Sequence, residues 1–196
     1  MSHRRAAREE EILETAVRLF REKGFHNTSM QDLADALGLQ KASLYYYFSG
    51  KEDLLYRLLE RGSRLLSAQI DAIYTSNLPP VEKLRLALET HAVTVMEHLD
   101  LVSVYLREYR TLPPERLRKV LSLRRHYEDI LMRILEDGIA SGDFRPVNVK
   151  MAILGFLGML NWTHQWFSPQ GALSAQEVAA ILVDLALQGV VAHKNE

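Results

Sequence analysis

The chain has 196 residues, 47% apolar and 25% charged, which excludes a disordered tail or a stapled mini-protein and leaves room for one or two compact domains. Its 24 Lys+Arg and 25 Asp+Glu give a net charge of −1, so any contact with a polyanion must come from local placement of cations rather than bulk basicity. The absence of cysteine removes disulfides, thiol nucleophiles, Cys-ligated zinc and iron–sulfur clusters, and suits a reducing compartment.

The opening MSHRRAAREEE carries arginines with no apolar run behind them, so no secretory signal is expected and the cytoplasm is the expected location. The longest apolar stretch, 151–160, is about half of what a membrane span needs, so no membrane partner is expected either. Apolar residues recur at three- and four-residue intervals almost throughout, without alternating β-branched runs, and this predicts an all-α protein. Ile12, Ala16, Leu19 and Phe20 mark a first helix over 8–23, closed by Gly24. Thr28 or Ser29 can cap a second helix that runs to Leu37, with Asp32 favourable to its dipole. A short third helix over 40–47 ends before Ser49-Gly50, and a long amphipathic fourth covers 51–74. After the Asn77-Leu78-Pro79-Pro80 turn, periodic segments at 81–97, 101–110, 114–141, 147–167 and 174–193 bring the total to about nine helices.

Within residues 30–48, Leu33, Leu37, Leu39 and Leu44 have the spacing of two short helices packed across a tight turn, a helix-turn-helix pattern. Ala34 suits the closest approach of the two helices, and Gly38 sits where the turn wants a positive φ. The second of these helices has the diameter of a major groove and projects Lys41, Ser43, Tyr45, Tyr46 and Tyr47. Successive helical residues lie about 100° apart, so the three tyrosines cannot all face one core and at least one should reach solvent or DNA. Arg4, Arg5 and Arg8 read as a short cationic arm ahead of the first helix, able to follow phosphates or enter a minor groove; a merely solvated tail is the alternative.

Gly24-Phe25, Thr28, QDLADALGLQKASLYYYF and Lys51-Glu52-Asp53-Leu54-Leu55 resemble the N-terminal domain of tetracycline-repressor (TetR) family transcriptional regulators. The resemblance implies a helix-turn-helix DNA-binding domain at 1–50, then a larger helical ligand-binding and dimerisation domain at 51–196, acting as a homodimer on a pseudo-palindromic double-stranded operator. Carried over position by position, it implies DNA contacts at Thr28, Ser29, Gln40, Lys41, Ala42, Ser43, Tyr45, Tyr46, Tyr47 and Lys51; many members have glycine where Ala42 stands and histidine where Tyr47 stands.

Between 107 and 133 eight Arg or Lys residues meet only four carboxylates, a larger excess than residues 1–51 carry as a whole, which suggests a second anionic partner. Arg124 falls seven residues from Leu117 and Leu131 and so shares their apolar face, where it needs a counter-charge. Glu89, Glu97 or Glu108 can supply one, and a ligand phosphate is the alternative. His91 and His98 fall in register with Leu84, Leu88 and Val95 and read first as buried, hydrogen-bonded histidines. GFLGMLNWTHQWFSPQGALSAQEVA at 155–179, with REYRTLPPERL at 107–117, resembles the C-terminal domains of family members that respond to fatty acyl-CoA. That resemblance implies a long-chain acyl-CoA effector, with Arg107, Arg110, Arg124 and Arg125 as anion contacts and Tyr127, Trp162 and Trp166 beside the ligand; a plain core role for the tryptophans stays open. Gly155 and Gly158 permit close helix approach, placing a four-helix dimer interface on the last two helices.

No histidine has a glutamate three residues before it, and the serine-elbow, phosphate-loop and His-Glu-x-x-His motifs are absent, so neither catalysis nor a resident cofactor or metal is expected. Two other readings remain open: a repressor responding to a different apolar molecule, such as a drug or efflux substrate, and a helical adaptor that does not bind DNA.

Overall fold

A computed structural model of the chain describes residues 3–192. Its helices are α1 (His3–Lys23), α2 (Met30–Ala36), α3 (Lys41–Tyr45), α4 (Lys51–Thr75), α5 (Pro80–Glu97), α6 (Leu99–Glu108), α7 (Pro114–Ser141), α8 (Val149–Asn161), α9 (Thr163–Trp166) and α10 (Ala175–Gln188), with a 3₁₀ turn at Tyr109–Thr111. Among the described residues the β-type pairing is a single isolated bridge between Phe144 and Val191, so the all-α expectation holds. No helix of the described residues is long and apolar enough to cross a membrane.

Differences from the sequence reading at three places have a local reason. α1 begins at His3 rather than residue 8, because Ala6 and Ala7 favour helix and Arg5–Glu9 and Arg8–Glu11 pairs lace its first turns at 3.0 and 2.5 Å. The single helix expected over 147–167 is two, interrupted at Trp162, where the Thr163 hydroxyl donates to the Leu160 carbonyl at 2.7 Å. The last helix stops at Gln188, and Arg145 N–H and Ala192 N–H then pair with Val190 and Asp143 carbonyls; His193, at the expected end, lies outside the described residues.

The chain divides into two compact units, residues 1–62 with 100–121, and residues 63–99 with 122–196. The first therefore takes in α6, the 3₁₀ turn and the start of α7 as well as the helix-turn-helix, across the boundary at residue 50 that the family resemblance implies. Within it, α6 crosses α4 at Gly62, where an added Cβ would already touch Tyr105 and Leu101 at 3.6 and 3.7 Å. Its interior holds Ile12, Ala16, Phe20, Phe25, Leu33, Leu44, Phe48 and Leu54, all buried, with Phe20 and Phe25 edge to face at 5.2 Å. Burying one such leucine or phenylalanine contributes about 1.5–3 kcal/mol, so Leu44 alone does much to hold the short α3 in place.

The second unit packs α5 against α10 and α8 around Leu84, Leu88, Leu131, Ile134, Leu135 and Val183. Gly138 is the tightest point: a Cβ there would come 2.1 Å from the Phe144 ring, so only glycine lets Phe144 fold back on α7.

Candidate nucleic-acid interface

The helix-turn-helix is built by short-range chemistry. Ser29 caps α2 as its hydroxyl accepts from Asp32 N–H at 3.1 Å while the Asp32 carboxylate returns to Ser29 N–H at 2.8 Å, a complete capping box. The Ser29 hydroxyl and amide, then Lys23, hold the Asp32 carboxyl well below the usual carboxylate range. Gly38 takes φ +62° and closes the turn, so that Leu39 N–H reaches the Ala34 carbonyl at 2.9 Å. α3 then turns Leu44 fully inward, which fixes what it turns outward.

Gln40, Lys41 and Ala42 are exposed and Ser43 is half-buried, so the N-terminal end of α3 is open to a partner; Gln40 makes no side-chain capping bond. The tyrosines divide as helical phase requires. Tyr45 is 48% exposed and lines a cleft of about 490 Å³ with Thr28, Ser29, Lys41, Ser49 and Lys51. Tyr46, 67% exposed, stands edge to face with half-buried Tyr47 at 5.0 Å, and the Arg5 guanidinium lies 5.2 Å from its ring.

Four of the residues expected at DNA are placed differently from the sequence reading. Arg4 and Arg5 are not in a free arm but in the first turn of α1, with Arg4 exposed and Arg5 held between Glu9 and Tyr46. The Thr28 side chain is turned away from solvent: the residue is 1% exposed and its hydroxyl donates to the Gly24 carbonyl at 2.8 Å, stabilising the α1–α2 loop. Lys51 directs its ammonium into that same loop, 2.7 Å from the Phe25 carbonyl and 4.4 Å above the Phe25 ring, and so acts first as a staple.

Sequence spacing missed a further ion pair in this unit. Asp53, in the first turn of α4, takes Arg116 of α7 at 3.0 Å on one oxygen and Ser49 N–H at 3.2 Å on the other. The Asp53 half had a local signal, a carboxylate four residues after Ser49; the Arg116 half, sixty-three positions further on, had none.

The expected effector residues are divided between the two units. Arg107 and Arg110 belong to the first unit, where Arg107 donates to the Arg21 carbonyl at 3.1 Å and Arg110 to the Tyr109 hydroxyl at 2.9 Å. Arg124, in the second unit, is half-exposed rather than turned to the core, and it pairs with Glu128 on its own helix at 2.6 Å. Arg125 is exposed. Trp162 and Trp166 stand at the surface, 62% and 51% exposed, rather than in an interior tunnel wall. Tyr127 is buried, and its hydroxyl meets His91 Nδ1 at 3.1 Å.

His91 is buried as expected, while His98 forms the C-terminal cap of α5. The second nitrogen of His91 lies 3.2 Å from Asn161 Oδ1, an atom that can only accept, so Nε2 carries the hydrogen and Nδ1 accepts from Tyr127. Burial lowers the His91 pKa to about 4, keeping the ring neutral, and pushes the Tyr127 hydroxyl above its usual value. One satisfied polar node thus ties α5, α7 and α8 inside an apolar core.

Residues 12–58 match the family described as "Bacterial regulatory proteins, tetR family", and residues 77–190 match "Tetracyclin repressor-like, C-terminal domain". The HTH-type transcriptional repressor KstR2 of Rhodococcus jostii (strain RHA1) is 29% identical over 198 residues, covering 97% of this chain and 95% of that protein. The TetR family transcriptional regulator PfmR from Thermus thermophilus is 41% identical with a TM-score of 0.84, over 90% of this chain and 97% of that one. AibR, solved in complex with isovaleryl coenzyme A and operator DNA, is 32% identical with a TM-score of 0.81, over 91% and 97% of the two chains.

Proposed function

Because the chain belongs to the TetR family of bacterial regulatory proteins, we propose that it is a ligand-responsive transcriptional repressor that binds a pseudo-palindromic operator as a homodimer and is released by an acyl-CoA-type effector. The observation that carries DNA binding is the outward face of α3, where Lys41, Ala42, Tyr45 and Tyr46 are exposed on a helix anchored from behind by Leu44. Two copies present two such helices, and a palindromic duplex offers them successive major grooves about 34–36 Å apart.

Homodimerisation is supported by the apolar residues left exposed on α8, at its C-terminal cap and on α10, Met151, Leu154, Trp162, Ile181 and Leu185, beside exposed Gly155 and Gly158. Such a face suits a four-helix interface between copies. The acyl-CoA class is supported by the isovaleryl coenzyme A bound to AibR and by the arginines of 107–125, whose guanidinium forks match phosphate. Control of fatty acid metabolism is the role that fits this effector.

Effector and operator would compete through conformation, since a ligand shifts an equilibrium only by its differential affinity for the two states. α4 carries Lys51 and Asp53 at its start, so moving that helix would change the spacing of the two α3 helices and lift repression. The test is a titration of the operator complex with long-chain acyl-CoA, isovaleryl-CoA, free fatty acid and CoA alone. Release by an acyl-CoA is expected, and release by none of the four would discard the effector class while leaving the DNA-binding reading in place.

A further inference from the structure

We infer that Arg116 is a positioning residue for the DNA-reading head: through Asp53 it fixes the turn that joins α3 to α4, and so sets the angle at which the recognition helix is presented. The inference rests on the DNA-binding reading above and adds a residue that no helix-turn-helix motif contains.

Helix electrostatics raise the question. Arg116 lies in the first turn of α7, where the positive end of the helix dipole disfavours a cation. Something must offset that, and Asp53 does so at 3.0 Å with its side chain only 13% exposed. The other Asp53 oxygen accepts from Ser49 N–H at 3.2 Å, directly after Phe48, which is buried. One turn along α4, Tyr56 lies beneath the guanidinium at 5.2 Å. The arginine is therefore gripped on two sides, by a carboxylate and by a ring, and the carboxylate in turn holds the backbone of the connecting turn.

The consequence is geometric. Five residues of α3 cannot hold an orientation by their own hydrogen bonds. Leu44 anchors the inner face of the helix, and Phe48 with Ser49 anchors its exit. Removing the Arg116 charge leaves the Asp53 carboxylate half-satisfied in a largely buried place and frees the turn to relax. Because Arg116 neutralises no phosphate in this role, its loss lowers affinity without changing how affinity depends on salt.

The experiment uses the full chain and a duplex selected by the unaltered protein from random sequences. Arg116→Met keeps the apolar stem over Tyr56 and is expected to weaken binding about tenfold, the scale of one charge-assisted contact. The slope of log affinity against log salt stays unchanged, whereas Lys41→Ala lowers it by about one. Asp53→Asn gives a similar loss, and the double variant is no worse than either single one. Arg116→Lys, which keeps a charge but not the fork, falls between, and serves if the methionine variant fails to fold. Hydrogen exchange at the Ser49 amide accelerates in Arg116→Met without DNA. Unaltered operator affinity and Ser49 protection in Arg116→Met would overturn the inference alone, as would a salt slope reduced by about one, which would make Arg116 a phosphate contact. Failure of the unaltered protein to retain any duplex would overturn the DNA-binding reading itself.

Discussion

The two compact units treat their polar residues in opposite ways. In the first, several polar side chains are used on backbone at turns, beside those that face out along α3: Ser29 and Asp32 on a cap, Thr28 and Lys51 on the α1–α2 loop, Asp53 on Ser49. In the second, the distinctive polar group is a neutral histidine sealed in the core between Tyr127 and Asn161. The first arrangement leaves a chemically varied surface on a rigid frame, as a reading head needs. The second holds helices together and makes that unit sensitive to anything that disturbs its core.

The largest expected effect separates the two most sharply. Gly138→Ala drives a methyl group into the Phe144 ring and should cost about 3 kcal/mol or more, measured by chemical denaturation, with partial recovery when Phe144→Leu is added. Unchanged stability would mean that the ring does not pack there. Next comes acid. The pKa of His91 is lower folded than unfolded, so the unfolded chain binds more protons between pH 6.5 and about 4, and stability present above 6.5 is lost as pH falls through that window. The loss is roughly 2 kcal/mol by pH 5, and His91→Leu should flatten the pH dependence there; an equally steep curve in that variant would place the proton uptake elsewhere.

In the first unit the effects are smaller and more local. Ser29→Ala removes the capping box and should cost about 1 kcal/mol of stability. Thr28→Val should lower stability by a similar amount, about 1 kcal/mol, yet leave the operator affinity of the folded protein as it was, since its hydroxyl faces Gly24 rather than solvent. A fall in operator affinity would restore Thr28 to the contact surface. Smallest of all, Arg124→Met breaks a half-exposed pair within one helix and should cost under about 1 kcal/mol, with operator affinity unaltered in the absence of effector. A weakened response to acyl-CoA in that variant would favour a ligand role, and a fall in operator affinity without effector would favour a structural one.

The same contrast governs how much could be read in advance. The α2 cap, narrowed to Thr28 or Ser29, and the Gly24 and Gly38 turns depend on neighbours within a few positions, and the sequence pattern located them. Periodicity also placed most of the helices, although it could not see that Trp162 interrupts one of them, since nothing in the apolar spacing changes there. Contacts between distant segments were a different matter. Thr28 and Lys51 have the right chemistry for phosphate, and only the fold reveals that the α1–α2 loop already uses both. Heptad spacing puts Arg124 on the core face, but an arginine stem can lie along an apolar face while its head turns aside to Glu128. Gly138 gives no signal within its long helical pattern because the ring that requires it arrives from a different segment.

Hydroxyl-radical footprinting of the purified protein on a duplex it selects tests the central claim most directly. Two copies presenting Lys41 to Tyr47 in successive major grooves predict two protected patches related by a dyad and centred about one helical turn apart, both abolished by Lys41→Ala with Tyr45→Ala. A single patch, protection without dyad symmetry, or a footprint indifferent to those substitutions would contradict it.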